Sequence, residues 1–305
     1  MTGSLIGSVL GGAILSGTSV LYATLGEIVS ERAGLVNLGL EGIILIGAVT
    51  GFATTAQTGS AALGVLAGAL AGGFFALIYG FLVISCRANQ LASGLALMFC
   101  GSGLSALLGT SYIGSMIDGL QEIQIPLFSS LPWIGPTFFR FDLLVYLVFP
   151  VAILVWWILF HTRWGLRLRA VGENAAHAFA AGINPQIIRY QAVFLCGILG
   201  GLGGVHLSLA FTKTWAEGMS AGRGFIAVAL VIFSKWHPLR AIFGALLFGG
   251  AVAFQLQLQA RGIQVSPFLL DMLPYLLSLG VLLIWGRSHK YSAPAGLGQV
   301  FKGTE

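Results

Sequence analysis

The sequence predicts an all-α fold, a polytopic bundle of about nine transmembrane helices that forms a single domain over residues 1–305. Hydrophobic residues make up 57% of the chain and charged residues only 8%, whereas a soluble domain carries about 25% charged residues. The apolar residues also occur in runs long enough to cross a bilayer. The net charge of +5 is interpreted as topology charge and not as a sign of nucleic-acid binding, because lysine and arginine cluster at loop edges.

Nine apolar runs, separated by polar breaks, are the predicted spans. They cover residues 5–25, 38–53, 61–85, 91–108, 143–160, 187–211, 225–233 with flanks, 239–256 and 268–285. The second and seventh runs are short, which is typical of the working part of a transporter. Glycines repeat every four residues in the third and sixth runs and predict close helix packing, not a substrate site. These glycines are Gly64, Gly68, Gly72, Gly197, Gly200, Gly201 and Gly204.

Residues 164–185 form the longest polar, basic interruption and are predicted to face the cytoplasm. Alternation then places ten lysines and arginines inside and four outside, with Arg32 undecided, out of 15 in total. The C-terminus is predicted inside and the N-terminus outside. Residues 109–140, which contain three prolines, are predicted to form an outer loop or a re-entrant segment.

A short helix is predicted within residues 164–185. Residues 173–181 are rich in alanine, Gly182 suits the end of a helix, and Pro185 stops it. A compact helix exposed between two spans favours docking of another protein. The alternative is a tether that only carries topology charges.

Charged and polar residues lie between the first two apolar runs. They are Glu27, Glu31, Arg32, Asn37 and Glu41. In a cytoplasmic loop these groups would simply be solvated. Alternatively they belong to a broken helix inside the bundle, where exposed backbone lines a water-filled path. Glu27 and Glu31 would share a helix face and need a cation, for which Arg32 is the nearest candidate.

A second polar stretch, with Arg223 and Phe225, precedes the short seventh run. Arg223 either reaches the outer interface with its long side chain or faces the same path. His206 is expected to form a hydrogen bond between helices. Catalysis by Ser102 and His206 has no supporting motif, and the sequence contains neither a P-loop nor a metal-binding motif.

Three stretches carry a resemblance to a known family. ERAGLVNLGLEG at residues 31–42, GLRLRAVGENAAHAFAAGI at 165–183 and GRGFIAVALVIFSKWHPLRAIFGALLFG at 222–249 resemble inner-membrane permeases of bacterial ABC importers. The sequence is most similar to the nucleoside and simple-sugar branch of the ribose-permease superfamily, and there to the smaller of two paired permeases. Relatives usually begin with one more span, which agrees with an N-terminus outside.

The resemblance implies a permease subunit, not an enzyme, that forms the pathway for a nucleoside or simple sugar in the bacterial cytoplasmic (inner) membrane. It implies a second, different permease chain, ABC ATPase subunits and an external substrate-binding protein as partners, and no cofactor on this chain. The expected ATPase-coupling residues are Arg169, Glu173, Asn174, Ala175, Ala176 and Gly182. The expected pathway residues are Glu27, Glu31, Arg32, Asn37, Glu41, Arg223 and Phe225. The alternative is an ion-coupled secondary transporter in which Glu27, Glu31 and Glu41 carry protons or Na⁺.

Overall fold

The computed structural model describes residues 2–124, 139–260 and 293–299, together with residues 272, 276, 279 and 280. Helices dominate these residues. They are α1 (Thr2–Arg32), α2 (Leu40–Thr58), α3 (Ala61–Gly80), α4 (Gln90–Gly109), α5 (Leu143–His161), α6 (Arg163–Glu173), α7 (Ala175–Ala180), α8 (Pro185–His206), α9 (Arg223–Phe233) and α10 (Pro238–Ala260). Short π-helical turns, Phe81–Ser85 and Leu207–Phe211, extend α3 and α8.

Seven helical segments in the described part of the chain are long and apolar enough to span a membrane. They are Gly7–Arg32, Leu40–Thr58, Ala61–Ser85, Gln90–Tyr112, Leu143–His161, Pro185–Phe211 and Pro238–Ala260. The predicted helical, multi-pass membrane protein is therefore confirmed. The seventh predicted span corresponds to α9, whose 11 residues extend only about 16 Å and cannot cross a core of about 30 Å. The ninth, at residues 268–285, lies almost wholly outside the described residues.

The predicted outer segment, 109–140, is described only at its two ends. Two short strands, β1 (Ile123–Gln124) and β2 (Arg140–Phe141), pair antiparallel, with Ile123 opposite Phe141. Isolated bridges join Ile113 to Trp215 and Met116 to Thr214. The beginning of this segment therefore folds against the loop that follows α8.

Helix α8 lies at the centre of the bundle and packs against α1, α2 and α3. Glycine allows these helices to meet at backbone distance, as the repeated glycines predict. A Cβ atom on Gly201 would lie 2.5 Å from the carbonyl oxygen of Gly68, and one on Gly72 would lie 2.5 Å from that of Gly197. Contacts this close leave no room for side chains, so the glycines form packing seams.

One end of the bundle brings together α6, α7, the start of α8 and the junction between α9 and α10; we call it the α7 face. Arg32, at the end of α1, bonds to Trp236 there. Ser85, at the end of the α3 span, meets Tyr190 of α8 with 2.6 Å between their hydroxyl oxygens. Seven of the ten basic residues that were predicted on one side of the membrane lie at or next to this end, in helices or in the turns between them: Arg87, Arg163, Arg167, Arg169, Arg189, Lys235 and Arg240.

Candidate functional site

Residues 33–39 separate α1 from α2 and lie inside the protein. Ala33, Leu35 and Asn37 are fully buried, and so is Glu27 at 0% exposure. Glu31 and Glu41 are also buried. We call residues 33–39 the polar turn. The charged residues around it are buried and are therefore not those of a solvated loop.

Glu27 fixes the polar turn to α1. Its Oε1 accepts a hydrogen bond of 2.8 Å from the backbone N–H of Asn37, and its Oε2 accepts one of 3.3 Å from Cys196 Sγ of α8. The Asn37 Oδ1 accepts a bond of 2.9 Å from Gly39 N, at the start of α2. Asn37 Nδ2 is buried and has no hydrogen-bond partner in the described part of the chain.

Glu31 and Arg32 both bind Trp236, in the turn between α9 and α10. Trp236 Nε1 donates a 2.6 Å bond to Glu31 Oε2, and its carbonyl oxygen accepts bonds of 3.2 and 3.1 Å from Arg32 Nε and Nη2. Lys235 and Trp236 have φ angles of 53° and 55°, a conformation that costs about 1–3 kcal/mol and needs surrounding contacts to hold it.

The expected role of Arg32 between Glu27 and Glu31 is not what the structure shows. Arg32 is the last residue of α1 and follows Glu31 directly, so its side chain leaves the helix about 100° away from that of Glu31. Its guanidinium lies 5.6 Å from the centre of the Phe160 ring. The two carboxylates accept hydrogen bonds from other protein groups instead. Glu27 is bound by Asn37 N–H and Cys196 Sγ, and Glu31 by Trp236 Nε1.

Glu41 caps the start of α9 from another part of the chain. Its Oε1 accepts bonds of 2.6 Å from Ser220 Oγ and 2.8 Å from Gly222 N, and its Oε2 accepts one of 2.6 Å from Gly224 N. Glu41 also lies in the first turn of α2. Two helix N-termini, each with a partial positive charge, thus meet at one carboxylate.

Arg223 and Phe225 lie at the same end of α9. Arg223 Nη1 donates to the carbonyl oxygens of Met219 and Ser220 at 3.3 and 3.2 Å. Arg223 is therefore joined through Ser220 to the loop that binds Glu41. Phe225 is 41% exposed and does not contribute to the Glu41 cap.

His206 and Asp142 form a buried pair away from the polar turn. His206 Nε2 lies 3.7 Å from Asp142 Oδ2, beyond hydrogen-bond distance, and His206 has no hydrogen-bond partner among the described residues, where the expected interhelical bond is therefore not formed. Asp142 Oδ1 instead accepts bonds from Leu144 N and Val145 N at the start of α5.

The predicted helix in residues 164–185 exists but is divided. Helix α6 ends at Glu173, and Asn174, with an extended φ of −153°, accepts a bond from His177 N at the start of α7. Helix α7 therefore covers Ala175–Ala180, not residues 173–181, because the asparagine cap restarts the helix.

Gly182 ends α7 as predicted. It has a φ of 80°, its N–H donates to Phe179 O at 2.9 Å, and Ile183 N donates to Ala178 O at 3.0 Å. This pair of bonds is a Schellman motif, which favours glycine because of the left-handed backbone. Asn174, Ala176 and the residues around Gly182 are exposed, so α7 projects from the α7 face.

The other expected coupling residues lie in different surroundings. Ala175 is half-buried at the base of α7, and the Arg169 guanidinium lies 5.1 Å from the centre of the Phe160 ring. Glu173 Oε2 accepts a bond of 3.1 Å from Ala295 N, in the C-terminal segment. Arg169 and Glu173 thus lie at the base of α7 and not at its exposed tip.

Three partners of these sites were not expected from the sequence: Trp236, Ser220 and residues 293–299. Trp236 falls in the 222–249 stretch that carries the family resemblance, which was the available signal. Nothing in the sequence near residues 293–299 points to α6. Within the described residues, no three His, Cys, Asp or Glu side chains are close enough to hold a metal ion.

Comparison with known proteins places these features in a family. The chain matches, over residues 8–285, the family described as the permease component of the branched-chain amino acid transport system. TsgC13 of Haloferax volcanii, named as a candidate glucose ABC transporter permease, is 40% identical over 87% of this chain and 82% of its own. The nucleoside ABC transporter permease NupC of Lactococcus lactis is 37% identical over 89% and 90%.

The guanosine ABC transporter permease NupQ of Bacillus subtilis is 33% identical over 92% of this chain and 91% of its own. No solved structure matches the chain. The family match covers most of the sequence, including the polar turn, α7 and α9. The chain therefore belongs to the family of ABC transport-system permease components and is a transporter subunit, not an enzyme.

Proposed function

We propose that this chain forms part of the pathway of an ATP-driven importer for a nucleoside or a simple sugar. The observation that carries the proposal is the combination, in a permease of this family, of a buried polar turn with an exposed helix, α7, on one face. The relatives named for guanosine, nucleoside and glucose transport support the solute class.

The pathway runs beside the polar turn in this proposal. Helix α1 ends and α2 begins at a buried break, and α9 is too short to span a bilayer by itself. Helix ends within the membrane leave backbone groups that only protein or a water-filled cavity can satisfy. Because α1 and α2 are separate spans, the break lies between two helices and not within one. We place its residue Asn37, and Glu41 at the start of α2, near the solute path. A further span at residues 268–285 is part of the same proposal.

A second, different permease chain completes the pathway. NupP of Bacillus subtilis is also named as a guanosine ABC transporter permease. It is 24% identical to this chain over 78% of this chain's length, whereas NupQ is 33% identical. A pair of related but unequal permeases in one organism supports a heterodimer in which this chain takes the NupQ-like position.

The α7 face is the cytoplasmic side in this proposal, and α7 fits into a separate ATPase subunit. The opposite face, with Lys213 and residues 109–124, receives an external binding protein that delivers the solute. ATP binding must favour one state of the permease over another, because a ligand with equal affinity for both states shifts nothing. The assembly lies in the bacterial cytoplasmic (inner) membrane.

Hydrogen bonding argues against the ion-coupled alternative. Glu27 and Glu41 each accept bonds from protein groups at both carboxylate oxygens, so a transported ion would have to displace these donors. Solute uptake by the purified chain alone, driven by a proton or Na⁺ gradient, would favour that alternative.

The docking role is tested at Gly182. Gly182→Val forces a β-branched residue into φ 80°, which disrupts the end of α7. Gly59 gives a matched control, since it ends α2 with φ 69° and a Cβ atom on either glycine would meet nothing within 4 Å. In the complete transporter in proteoliposomes, we expect Gly182→Val to abolish uptake of tritiated guanosine or glucose and its stimulation of ATP hydrolysis.

Glu173→Lys is a second variant, at the base of α7, and should weaken both solute uptake and solute-stimulated ATP hydrolysis. Gly59→Val strains its backbone equally but leaves α7 intact, so it should retain solute-stimulated hydrolysis. If uptake and stimulated hydrolysis both persist in Gly182→Val and Glu173→Lys, α7 does not couple to an ATPase.

A further inference from the structure

The C-terminal residues 293–299, which we call the clasp, bind two parts of the molecule at once. Gly296 N donates a 2.9 Å bond to Gly172 O, in the last turn of α6, and Gly298 N donates a 3.2 Å bond to Gly34 O, in the polar turn. The clasp therefore joins the base of α7 to the break between α1 and α2, although the two lie more than a hundred residues apart in sequence.

Three glycines make this junction a backbone-to-backbone contact. A Cβ atom on Gly296 would lie 2.7 Å from Gly172 O, and one on Gly34 would lie 3.2 Å from Gly296 O. A Cβ atom on Gly172 would overlap Arg32 O, at the end of α1. Any side chain at these positions would push the segments apart, so the junction is built for close contact.

Further contacts hold the clasp in place. Ala295 N donates to Glu173 Oε2 at 3.1 Å. Pro294 is buried, and Leu297 packs against the hydrophobic core. The clasp also closes its own turn, with a 3.0 Å bond from Leu297 N to Pro294 O. These contacts make it an ordered part of the α7 face.

We propose that the clasp couples movement of α7 to the polar turn. Glu173 is separated from the first residue of α7 only by Asn174, and Gly34 lies three residues before Asn37, whose N–H binds Glu27. A displacement of α7 thus has a short route through Gly172, the clasp and Gly34 to the buried carboxylate. This role deepens the proposed function and depends on it.

The test separates coupling from folding by measuring solute taken up per ATP hydrolysed. The complete transporter in proteoliposomes is assayed with tritiated guanosine and glucose, and the thermal midpoint of each purified variant is measured in parallel. Gly296→Ala crowds Gly172 O, and deletion of residues 293–305 removes the clasp. The controls are deletion of residues 300–305 and Gly103→Ala, since a Cβ atom on Gly103 would meet no described residue within 4 Å.

We expect Gly296→Ala and the longer deletion to lower uptake per ATP about fivefold or more, the lower end of allosteric coupling, while hydrolysis continues and both controls behave as wild type. Unchanged uptake per ATP in both variants would overturn the proposal. So would parallel loss of uptake, hydrolysis and thermal stability, because the clasp would then serve only the fold. Wild-type transport that needs no ATP would refute the proposed function and this inference with it.

Discussion

At the scale of single residues, buried charge in this permease is satisfied mainly by the backbone and by neutral side chains. Glu41 is the clearest case, because two backbone N–H groups and one hydroxyl meet its two oxygens. Burying a carboxylate without partners would be very costly. The arrangement fixes the start of the short helix α9 against the start of α2, so this residue should be important for stability.

Glu41→Gln should destabilise the protein by about 1.5–3 kcal/mol, the range for a charged hydrogen bond. The amide keeps only one acceptor oxygen, and its NH₂ group would face the N–H of Gly222 or Gly224. The measurement is the thermal midpoint of purified protein in detergent. Glu217→Gln, at an exposed glutamate in the same loop, should leave the midpoint unchanged. Equal midpoints for the two variants would contradict a structural role for the Glu41 cap.

His237 lies among cations at the α7 face. Its ring stacks on Phe160 with 5.4 Å between the ring centres, and the Arg32 and Arg169 guanidinium groups also approach that phenyl ring. Burial lowers the pKa of His237, and the charges of Arg240 and Arg32 lower it further. The folded protein therefore holds this imidazole neutral more firmly than the unfolded chain does.

The unfolded chain binds this proton more readily, so the contribution of His237 to stability is complete above about pH 6.5, the ordinary pKa of histidine. It is lost as the pH falls from there through the lowered pKa of the folded state. His237→Phe keeps the stacking and removes the proton site, so its thermal midpoint should fall less on acidification than that of the wild type. His161→Phe, at an exposed histidine, should retain the wild-type decrease. If the thermal midpoints of wild type and His237→Phe fall equally on acidification, protonation of His237 does not lower the stability of the folded protein.

At the scale of helices, the sequence pattern predicts that a helix forms better than it predicts where the helix begins and ends. Apolar runs identified every long helix in the described residues, and glycine spacing identified the closely packed faces of α3 and α8. The start of α7 was misplaced by two residues, because alanine content does not show that Asn174 turns away and caps a new helix. The partnership of Glu31 with Trp236 could not be predicted, since the two are 205 positions apart and only the packing of α1 on α9 brings them together.

The seam between α3 and α8 gives a prediction at this scale. Gly201→Ala would place a methyl group 2.5 Å from Gly68 O, and since neither backbone can move without separating the helices, we expect a loss of about 1–3 kcal/mol. Gly103→Ala adds the same methyl group to the open face of α4 and should cost nothing. The comparison uses thermal midpoints in detergent and the yield of monodisperse protein. A stable Gly201→Ala variant would mean that the seam is looser than the structure shows.

At the scale of the whole molecule, the polar turn, α7 and the clasp all lie on or near one face. The sequence predicted the short helix of α7 but left residues 27–41 open between a solvated loop and a broken helix. It could not show that the two regions adjoin, because the link is made by residues 293–299 without a recognisable pattern. The opposite face contains the loop after α8 and the start of the outer segment. This division makes the assignment of faces to membrane sides the property on which the transport proposal most depends.

Cysteine labelling in intact cells tests that assignment. Cys86 and Cys100 are exposed and are first replaced by alanine, whereas Cys196, which is buried and donates to Glu27, is kept. Single cysteines are then introduced at Ala180 on the α7 face and at Glu217 on the opposite face, both exposed. Because basic residues concentrate on the α7 face, the positive-inside rule predicts that a membrane-impermeant maleimide labels Glu217→Cys in intact cells and Ala180→Cys only after permeabilisation. The reverse pattern would place α7 outside the cell, where no cytoplasmic ATPase could reach it.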